Sequence, residues 1–235
     1  EAGGIGVIHR NLSIKKQILE IRKVKKKKLI VGAAVGAGGE EVKRAEAIIK
    51  ENINLIVVDT AHGHSKKVAE IIKKIKKIKS SKTTLCAGNI ATPEAAKFLI
   101  KLGVDVVKVG IGPGSICTTR LVAGIGVPQL SAILNVREKF KSKNVKIISD
   151  GGIKFSGDIA KALAAGADAV MIGSLFAGSS EAPGKLIKKK GIIYKNFRGM
   201  GSVGAMNKGS ADRYFQKKQT DTSKYVPEGV EGLVK

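Results

Sequence analysis

The sequence has little of what marks secreted, membrane-spanning or nucleic-acid-binding proteins. Only two of its 235 residues are cysteines, which excludes a disulfide scaffold, so we expect a reducing, cytoplasmic compartment. No apolar run reaches the roughly 20 residues that cross a bilayer, so we expect no membrane association. There is no tryptophan and aromatic content is 4%, so the composition does not indicate a base-stacking surface.

Acidic residues are scarce as well. Lysine and arginine number 43 against 19 aspartates and glutamates, for a net charge of +24, which attracts nucleic acid, anionic membranes or phosphorylated metabolites. From Ile71 to Ile78, however, isoleucines recur at helical spacing with lysines between them, which is typical of a solvated helix face. We therefore expect nucleic acid not to be the main partner, and a basic nucleic-acid-binding protein without catalysis is kept as an alternative.

Seven short apolar runs alternate with amphipathic stretches such as 40–50, 93–102 and 157–165. The runs begin near Gly4, Leu29, Asn54, Thr83, Asp105, Lys146 and Asp168. Because they are continuous and rich in valine and isoleucine, they predict parallel strands covered on both faces. This α/β rhythm favours a single (β/α)8 TIM barrel over residues 1–235 whose first strand is absent from this chain. An open Rossmann-like sheet is the alternative.

One cysteine lies in a loop made of glycine and hydroxyl residues. The loop reads GPGSICTTR and follows the run that ends at Gly110, so Cys117 is expected at a strand end, where parallel α/β enzymes keep their chemistry. Glycines there let backbone N–H groups approach an anion. Cys117 is thus a candidate nucleophile, whereas Cys86 falls within an apolar run and is expected to pack in the core.

The loops after the last two runs predict a phosphate site. They contain Asp150-Gly151-Gly152 and Gly173-Ser174, and barrels often hold phosphate in the loops after the seventh and eighth strands. The Asp150 carboxylate could accept hydrogen bonds from two neighbouring hydroxyls, as on a ribose. Together with the GPGS loop, these residues predict a nucleoside monophosphate as ligand.

Motifs along nearly the whole chain resemble those of the inosine-5′-monophosphate (IMP) dehydrogenase family. They include GGIGVIHRN, VGAAVG, DTAHGHS, AGNIAT, VGIGPGSICTTR, ISDGGIK, VMIGS, RGMGS, DRYFQ and VPEGVEG, in the family's order. GMP reductase, which is NADPH-dependent, shares the cysteine loop and remains an alternative. The resemblance implies a mobile flap at approximately 196–230. It also implies that this chain is a form of the enzyme without the CBS regulatory domain and truncated at both ends.

The resemblance also implies the reaction. Cys117 would attack C2 of IMP, NAD+ would take the hydride, and a covalent thioimidate would be hydrolysed to xanthosine 5′-monophosphate (XMP), an intermediate in guanine nucleotide synthesis. Thr119 would lie beside the hydrolytic water. Arg213, with Tyr214 next to it on the flap, would act as the base, a role that depends on the resemblance alone because arginine is an unusual base.

The remaining site residues follow from the same resemblance. The IMP site would contain Ser115, Asp150, Gly151, Gly152, Gly173, Ser174, Phe197, Arg198, Gly199, Met200, Gly201 and Glu228. The NAD+ site would contain Asp59, Thr60, Ala61, Asn89, Gly110 and Gly112. The carbonyl oxygens of Gly112, Gly114 and Cys117 would hold a monovalent cation, potassium, in a homotetramer. Phe197 stands where the family commonly has tyrosine, so one hydroxyl contact to the phosphate is expected to be lost.

Overall fold

The computed structural model describes residues 3–140 and 145–235 of the chain. They form two compact units. Within the described residues, the first unit covers 3–108 with 145–146, and the second covers 109–140 with 147–235.

The first unit alternates strands and helices from its start to its end. Its elements are β1 (Gly6–Ile8), α1 (Ile14–Lys26), β2 (Val31–Val35), α2 (Glu41–Ile49), β3 (Leu55–Asp59), α3 (Lys66–Ile78), β4 (Thr84–Ile90), α4 (Pro93–Lys101) and most of β5 (Val106–Val109). The strands β1 to β4 pair in parallel and in chain order, with Val57 opposite Cys86, for example. Helical crossovers explain this order, because a parallel neighbour cannot be reached through a tight turn.

The core of the first unit lies between its sheet and its helices. All five residues of β2 are buried, and Ile21, Ile48 and Ile72, one from each of α1, α2 and α3, are fully buried. In α3 the isoleucines at 71, 72 and 75 are buried while the lysines between them are exposed, so the predicted solvated face is confirmed. Cys86 is also fully buried, as predicted.

The second unit combines a parallel pair of strands with a small antiparallel sheet. Its elements are α5 (Thr119–Val122), α6 (Gln129–Lys139), β6 (Lys146–Asp150), α7 (Ser156–Ala164), β7 (Ala169–Met171), α8 (Ser174–Ala177), β8 (Leu186–Lys189), β9 (Ile192–Arg198), α9 (Val203–Ala205) and β10 (Glu231–Val234). Strands β6 and β7 are parallel, and β9 lies between β8 and β10 in the antiparallel sheet. Three single helical turns, 206–210, 211–214 and 222–224, separate α9 from β10.

The α/β class is confirmed, since each of the seven predicted runs contains one of the parallel strands β1 to β7. Closure into a (β/α)8 barrel, the absent first strand and the flap at 196–230 remain predictions. The antiparallel strands β8 to β10 were not predicted, because their sequences, LIKK, IIYKNFR and EGLV, are short and neither continuously apolar nor regularly alternating. Across the described ranges, no helix combines the length and apolar character required to cross a membrane.

Candidate active site

The second unit contains a pocket at the carboxyl ends of its parallel strands. Its volume is about 140 Å³, which suits a phosphate group or part of a sugar and is smaller than the pockets that enclose whole drug-sized ligands. The loop after β5, the loop after β6, the loop after β7 and the end of β9 supply its wall. The lining residues are Gly114, Ser115, Ile116, Asp150, Gly151, Gly152, Ile153, Lys154, Met171, Ile172, Gly173, Ser174 and Phe197.

Sequence reasoning predicted seven of these lining residues as part of the IMP site, and the structure brings them together. They are Ser115, Asp150, Gly151, Gly152, Gly173, Ser174 and Phe197. Gly173 and Phe197 are neighbours in the lining, since a Cβ on Gly173 would be in van der Waals contact with Cζ of the ring, at 3.9 Å. Phe197 therefore forms an apolar edge where a tyrosine would add a hydroxyl.

Glycines allow the loops after β5 and β6 to approach each other. A Cβ on Gly110 would lie 2.1 Å from the carbonyl oxygen of Asp150, and a Cβ on Gly151 would lie 2.9 Å from Cγ of Pro113. Gly151 and Gly152 also have positive φ angles, +89° and +79°, which side chains other than glycine's adopt at a cost. This close approach brings Asp150 into the same pocket lining as Gly114 and Ser115.

Cys117 follows the pocket-lining residues 114–116 and is partly exposed. Its backbone N–H donates to the Gly114 carbonyl oxygen at 3.1 Å, which turns the loop back on itself. Its thiol donates to Oγ1 of Thr119 at 3.2 Å. Cys117 is therefore half-buried, not sealed in the core, and its thiol is hydrogen-bonded to a hydroxyl.

The segment 228–230 joins the cysteine loop (112–120) to the RGMGS segment (198–202). The carbonyl oxygen of Glu228 accepts from Thr118 N–H at 2.9 Å, while Glu228 N–H donates to the Gly201 carbonyl oxygen at 3.0 Å. Residues Cys117 and Gly229 form an antiparallel bridge. Glu228, predicted as a site residue, is thus held beside Cys117 although 111 positions separate them in the chain.

Gly114, predicted for the cation site, also lines the pocket, whereas the remaining predicted residues of this unit lie outside the lining. Arg213 and Tyr214 lie in the helical turn 211–214, where Tyr214 packs against the buried side chains of Met206, Ala211 and Tyr225. Gly201 is close to that tyrosine, since a Cβ on it would lie 2.9 Å from Cζ of Tyr214. Arg198 Nε lies 3.4 Å from a carboxylate oxygen of Glu231, and the Met200 carbonyl oxygen accepts from Ser210 Oγ at 2.6 Å.

In the first unit, the residues predicted for the NAD+ site gather at the ends of β3 and β4. Thr60 and Asn89 bond through their backbones, since Asn89 N–H donates to the Thr60 carbonyl oxygen at 2.8 Å. The ammonium of Lys108 lies 3.0 Å from Oδ1 of Asp59 and also donates to Oδ1 of Asn89. Ala61 directly follows this cluster, whereas Gly110 and Gly112 belong to the second unit.

Lys108 is a residue that sequence reasoning missed. Its side chain is only 2% exposed, against 17% for Asp59, and a buried ammonium requires such a charged partner. The detectable signal was a single lysine inside the apolar strand VVKV.

Gln129 was missed too. Its Nε2 donates to the Val109 carbonyl oxygen at 2.8 Å and to Ser149 Oγ at 3.0 Å, and so ties together the strand ends just before Gly110 and Asp150. Lys154, a cation in the pocket lining, was also not predicted.

These features define a class: an α/β protein with an anion-sized pocket at the carboxyl ends of parallel strands and a half-buried cysteine directly after one of the loops that line it. The sequence model of the IMP dehydrogenase / GMP reductase domain family matches residues 1–235. The chain belongs to that family.

Curated relatives support the same assignment. A protein from Chlorobaculum tepidum is 50% identical over 230 residues, covering 97% of this chain and 46% of the relative. One from Rhodopirellula baltica is 58% identical and covers 88% of this chain and 38% of the relative. A protein from Borreliella burgdorferi is 45% identical, and the match covers 99% of this chain and 70% of the relative.

All three relatives are named inosine-5′-monophosphate dehydrogenase. The chain spans less than half the length of the first two.

Proposed function

We propose that this protein oxidises IMP to XMP with NAD+ through a covalent intermediate on Cys117. The observation that carries the proposal is the half-buried Cys117, which directly follows residues 114–116 in the lining of a pocket that also contains Asp150 and the glycine loops. Family membership and the names of the relatives support the same reaction. Because the chain spans only part of most relatives, the activity is proposed for the protein that contains it.

In this mechanism the sulfur of Cys117 bonds to C2 of the purine and the thiol proton is released. Hydride leaves C2, and water then hydrolyses the resulting thioimidate to give XMP and the free thiol. The balance is IMP, NAD+ and water converted to XMP, NADH and a proton. Thr119, 3.2 Å from the sulfur, is suited to orient that water, and Arg213 with Tyr214 is proposed to activate it.

Phosphate and ribose are assigned to the pocket of the second unit. Backbone N–H groups in the glycine loops and the Lys154 ammonium suit the phosphate, and the Asp150 carboxylate suits the ribose hydroxyls. The residues from Arg198 to Gly201 are proposed as part of the IMP site, and Glu228 is proposed to contact the base. The pocket volume of about 140 Å³ fits the phosphate end of IMP, so the base would extend toward Cys117 at the rim.

The chemistry of the first-unit cluster fits a nicotinamide nucleotide. Asp59 and Asn89 offer oxygens that suit ribose hydroxyls and an amide, and Lys108 holds both side chains in place. NAD+ when bound would accept the hydride from C2. The contribution of this unit is to orient it through Asp59, Thr60, Ala61 and Asn89.

We also propose that the protein binds potassium and forms a homotetramer. Carbonyl oxygens suit a hard cation, and Gly112, Gly114 and Cys117 supply three of them, although the Gly114 oxygen also accepts from Cys117 N–H. Both cysteines are free, which fits the proposed cytoplasmic location. Analytical ultracentrifugation and activity titrations with potassium against lithium test the assembly and the cation.

The decisive experiment tests whether Cys117 forms a covalent intermediate during turnover. Purified protein incubated with IMP and NAD+ should form NADH, seen by its absorbance, and mass spectrometry should detect a nucleotide adduct on Cys117. Cys117→Ala should abolish turnover yet bind IMP, whereas Cys86→Ala, at a buried position, serves as the matched control and should keep the activity. Normal turnover by Cys117→Ala would exclude the covalent mechanism.

GMP reductase is the second candidate, because the matching family includes both activities. NADPH-dependent deamination of GMP in the same preparation, without NADH formation from IMP, would select it. A steep salt dependence of single-stranded nucleic-acid binding with neither activity would instead favour the basic binding protein.

A further inference from the structure

Lys195 is a buried cation that the reaction does not use. It lies in the middle of β9 and is 4% exposed, whereas Ile193, two residues earlier on the same face of the strand, is 56% exposed. A strand in which the isoleucine is exposed and the lysine is buried reverses the usual pattern. Burial of an ammonium therefore requires partners that replace its water.

Three backbone carbonyl groups are those partners. The ammonium lies 2.5 Å from the Ser179 oxygen, 2.7 Å from the Ala182 oxygen and 3.4 Å from the Ser180 oxygen. All three come from one short turn, which is also closed by a bond from Ala182 N–H to the Ser179 oxygen at 3.2 Å. An ammonium has three N–H donors and no acceptor, so it matches a set of carbonyl oxygens as a bound monovalent cation would.

This contact connects two walls of the pocket. The segment that ends in the 179–182 turn starts at Gly173 and Ser174, which line the pocket, and continues through α8. Strand β9 carries Phe197, another lining residue, two positions after Lys195 and so on the same face of the strand. Fixing the ammonium to the turn therefore holds the Gly173–Ser174 wall opposite the Phe197 wall.

We propose that Lys195 is a tethered cation in a carbonyl site, and that it positions the two walls of the pocket to receive a nucleotide phosphate. Lys195 is a positioning residue, because it acts through the turn and β9. That the ligand is IMP depends on the proposed function. The hydrogen bonds from the Lys195 ammonium to the 179–182 turn, which we call the tether, do not depend on it.

Two substitutions and a control test the tether. Lys195→Met keeps most of the stem and removes the charge and all three donors, and Lys195→Ala leaves room for n-propylammonium. Lys188→Met, at an exposed position on the neighbouring strand β8, is the matched control.

We expect the Kd and KM for IMP to rise by about tenfold or more in both Lys195 variants, since hydrogen bonds to a charged group are lost, with kcat within about twofold. Lys188→Met should bind as the wild type does. Added n-propylammonium should restore IMP binding to Lys195→Ala, and 1-propanol, which is similar in size and uncharged, should not. Unchanged IMP affinity in Lys195→Met, or equal rescue by propanol, would overturn the proposal.

Hydrogen exchange separates the tether from the identity of the ligand. In Lys195→Met, exchange should become faster in 174–182 and remain unchanged in helices of the first unit. Unchanged exchange in 174–182 would refute the tether whatever the ligand is. If the wild-type protein bound no IMP while exchange changed as expected, the proposed function would fail and the tether would stand.

Discussion

Replacing Gly110 with alanine tests how closely the two pocket loops must approach. The new Cβ would lie 2.1 Å from the Asp150 carbonyl oxygen and 3.1 Å from Oε1 of Gln129. Ordinary van der Waals contact begins near 3.4 Å, so the Asp150 backbone or Gly110 must move by more than about 1 Å. Asp150 ends β6 and pairs with β7 at Met171, which limits its freedom to yield.

The expected cost combines two physical effects. Overpacking against backbone costs about 1–3 kcal/mol, and the φ of +154° at Gly110 adds about 1–3 kcal/mol of backbone strain for alanine. We therefore expect Gly110→Ala to lower the free energy of unfolding by about 2–6 kcal/mol. IMP binding should weaken as well, because the same displacement moves Asp150 relative to the 112–115 loop.

Two other glycines separate these effects. Gly124 has a φ of +66° with open space around it, so Gly124→Ala reports backbone strain alone and should cost about 1 kcal/mol. Gly157, in α7, has open space and no positive φ, so Gly157→Ala should stabilise the protein by up to about 1 kcal/mol.

Urea denaturation followed by circular dichroism measures the unfolding free energies, and calorimetry measures IMP affinity. If Gly110→Ala were as stable as Gly124→Ala and bound IMP normally, the close approach of Gly110 to the Asp150 backbone would have no energetic consequence. That result would refute the expected overpacking at Gly110.

Two further substitutions have clear expected outcomes. Phe197→Tyr should tighten IMP binding by about fivefold, because one added hydrogen bond contributes about 1 kcal/mol; calorimetry with unchanged affinity would show that the hydroxyl finds no partner. Lys108→Met should lower the free energy of unfolding by about 3–5 kcal/mol, because it leaves Asp59 without its buried cation. Lys101→Met, exposed at the end of α4, should change that free energy little in the same urea experiment, and equal stability of the two variants would contradict the assigned ion pair.

Local patterns were sufficient for the secondary structure of the parallel part of the fold. Continuous apolar runs such as LIVVD predict buried strands, and β3 spans those five residues. Threonine before proline, as at Thr92 and Pro93, is typical of a helix start, and Thr92 Oγ1 accepts from Ala95 N–H at 3.3 Å. Glycine is typical just after a helix, and Gly103 and Gly166, which follow α4 and α7, have φ angles of +79° and +107°. These features follow from residues within a few positions of each other, which is why the sequence alone predicts them.

The sequence by itself also determined which loops carry the chemistry, because Cys117, Asp150 and the glycines around them stand directly after predicted strands. Only the tertiary structure decided how distant residues meet. Lys108 reaches Asp59 across 49 positions, and Lys195 reaches the Ser179 carbonyl oxygen across 16. A lysine inside an apolar strand, as in VVKV, is noticeable in the sequence, but its partner is not, since the partner is fixed by how strands and turns pack. The ion pair and the carbonyl site therefore became visible only in the folded chain.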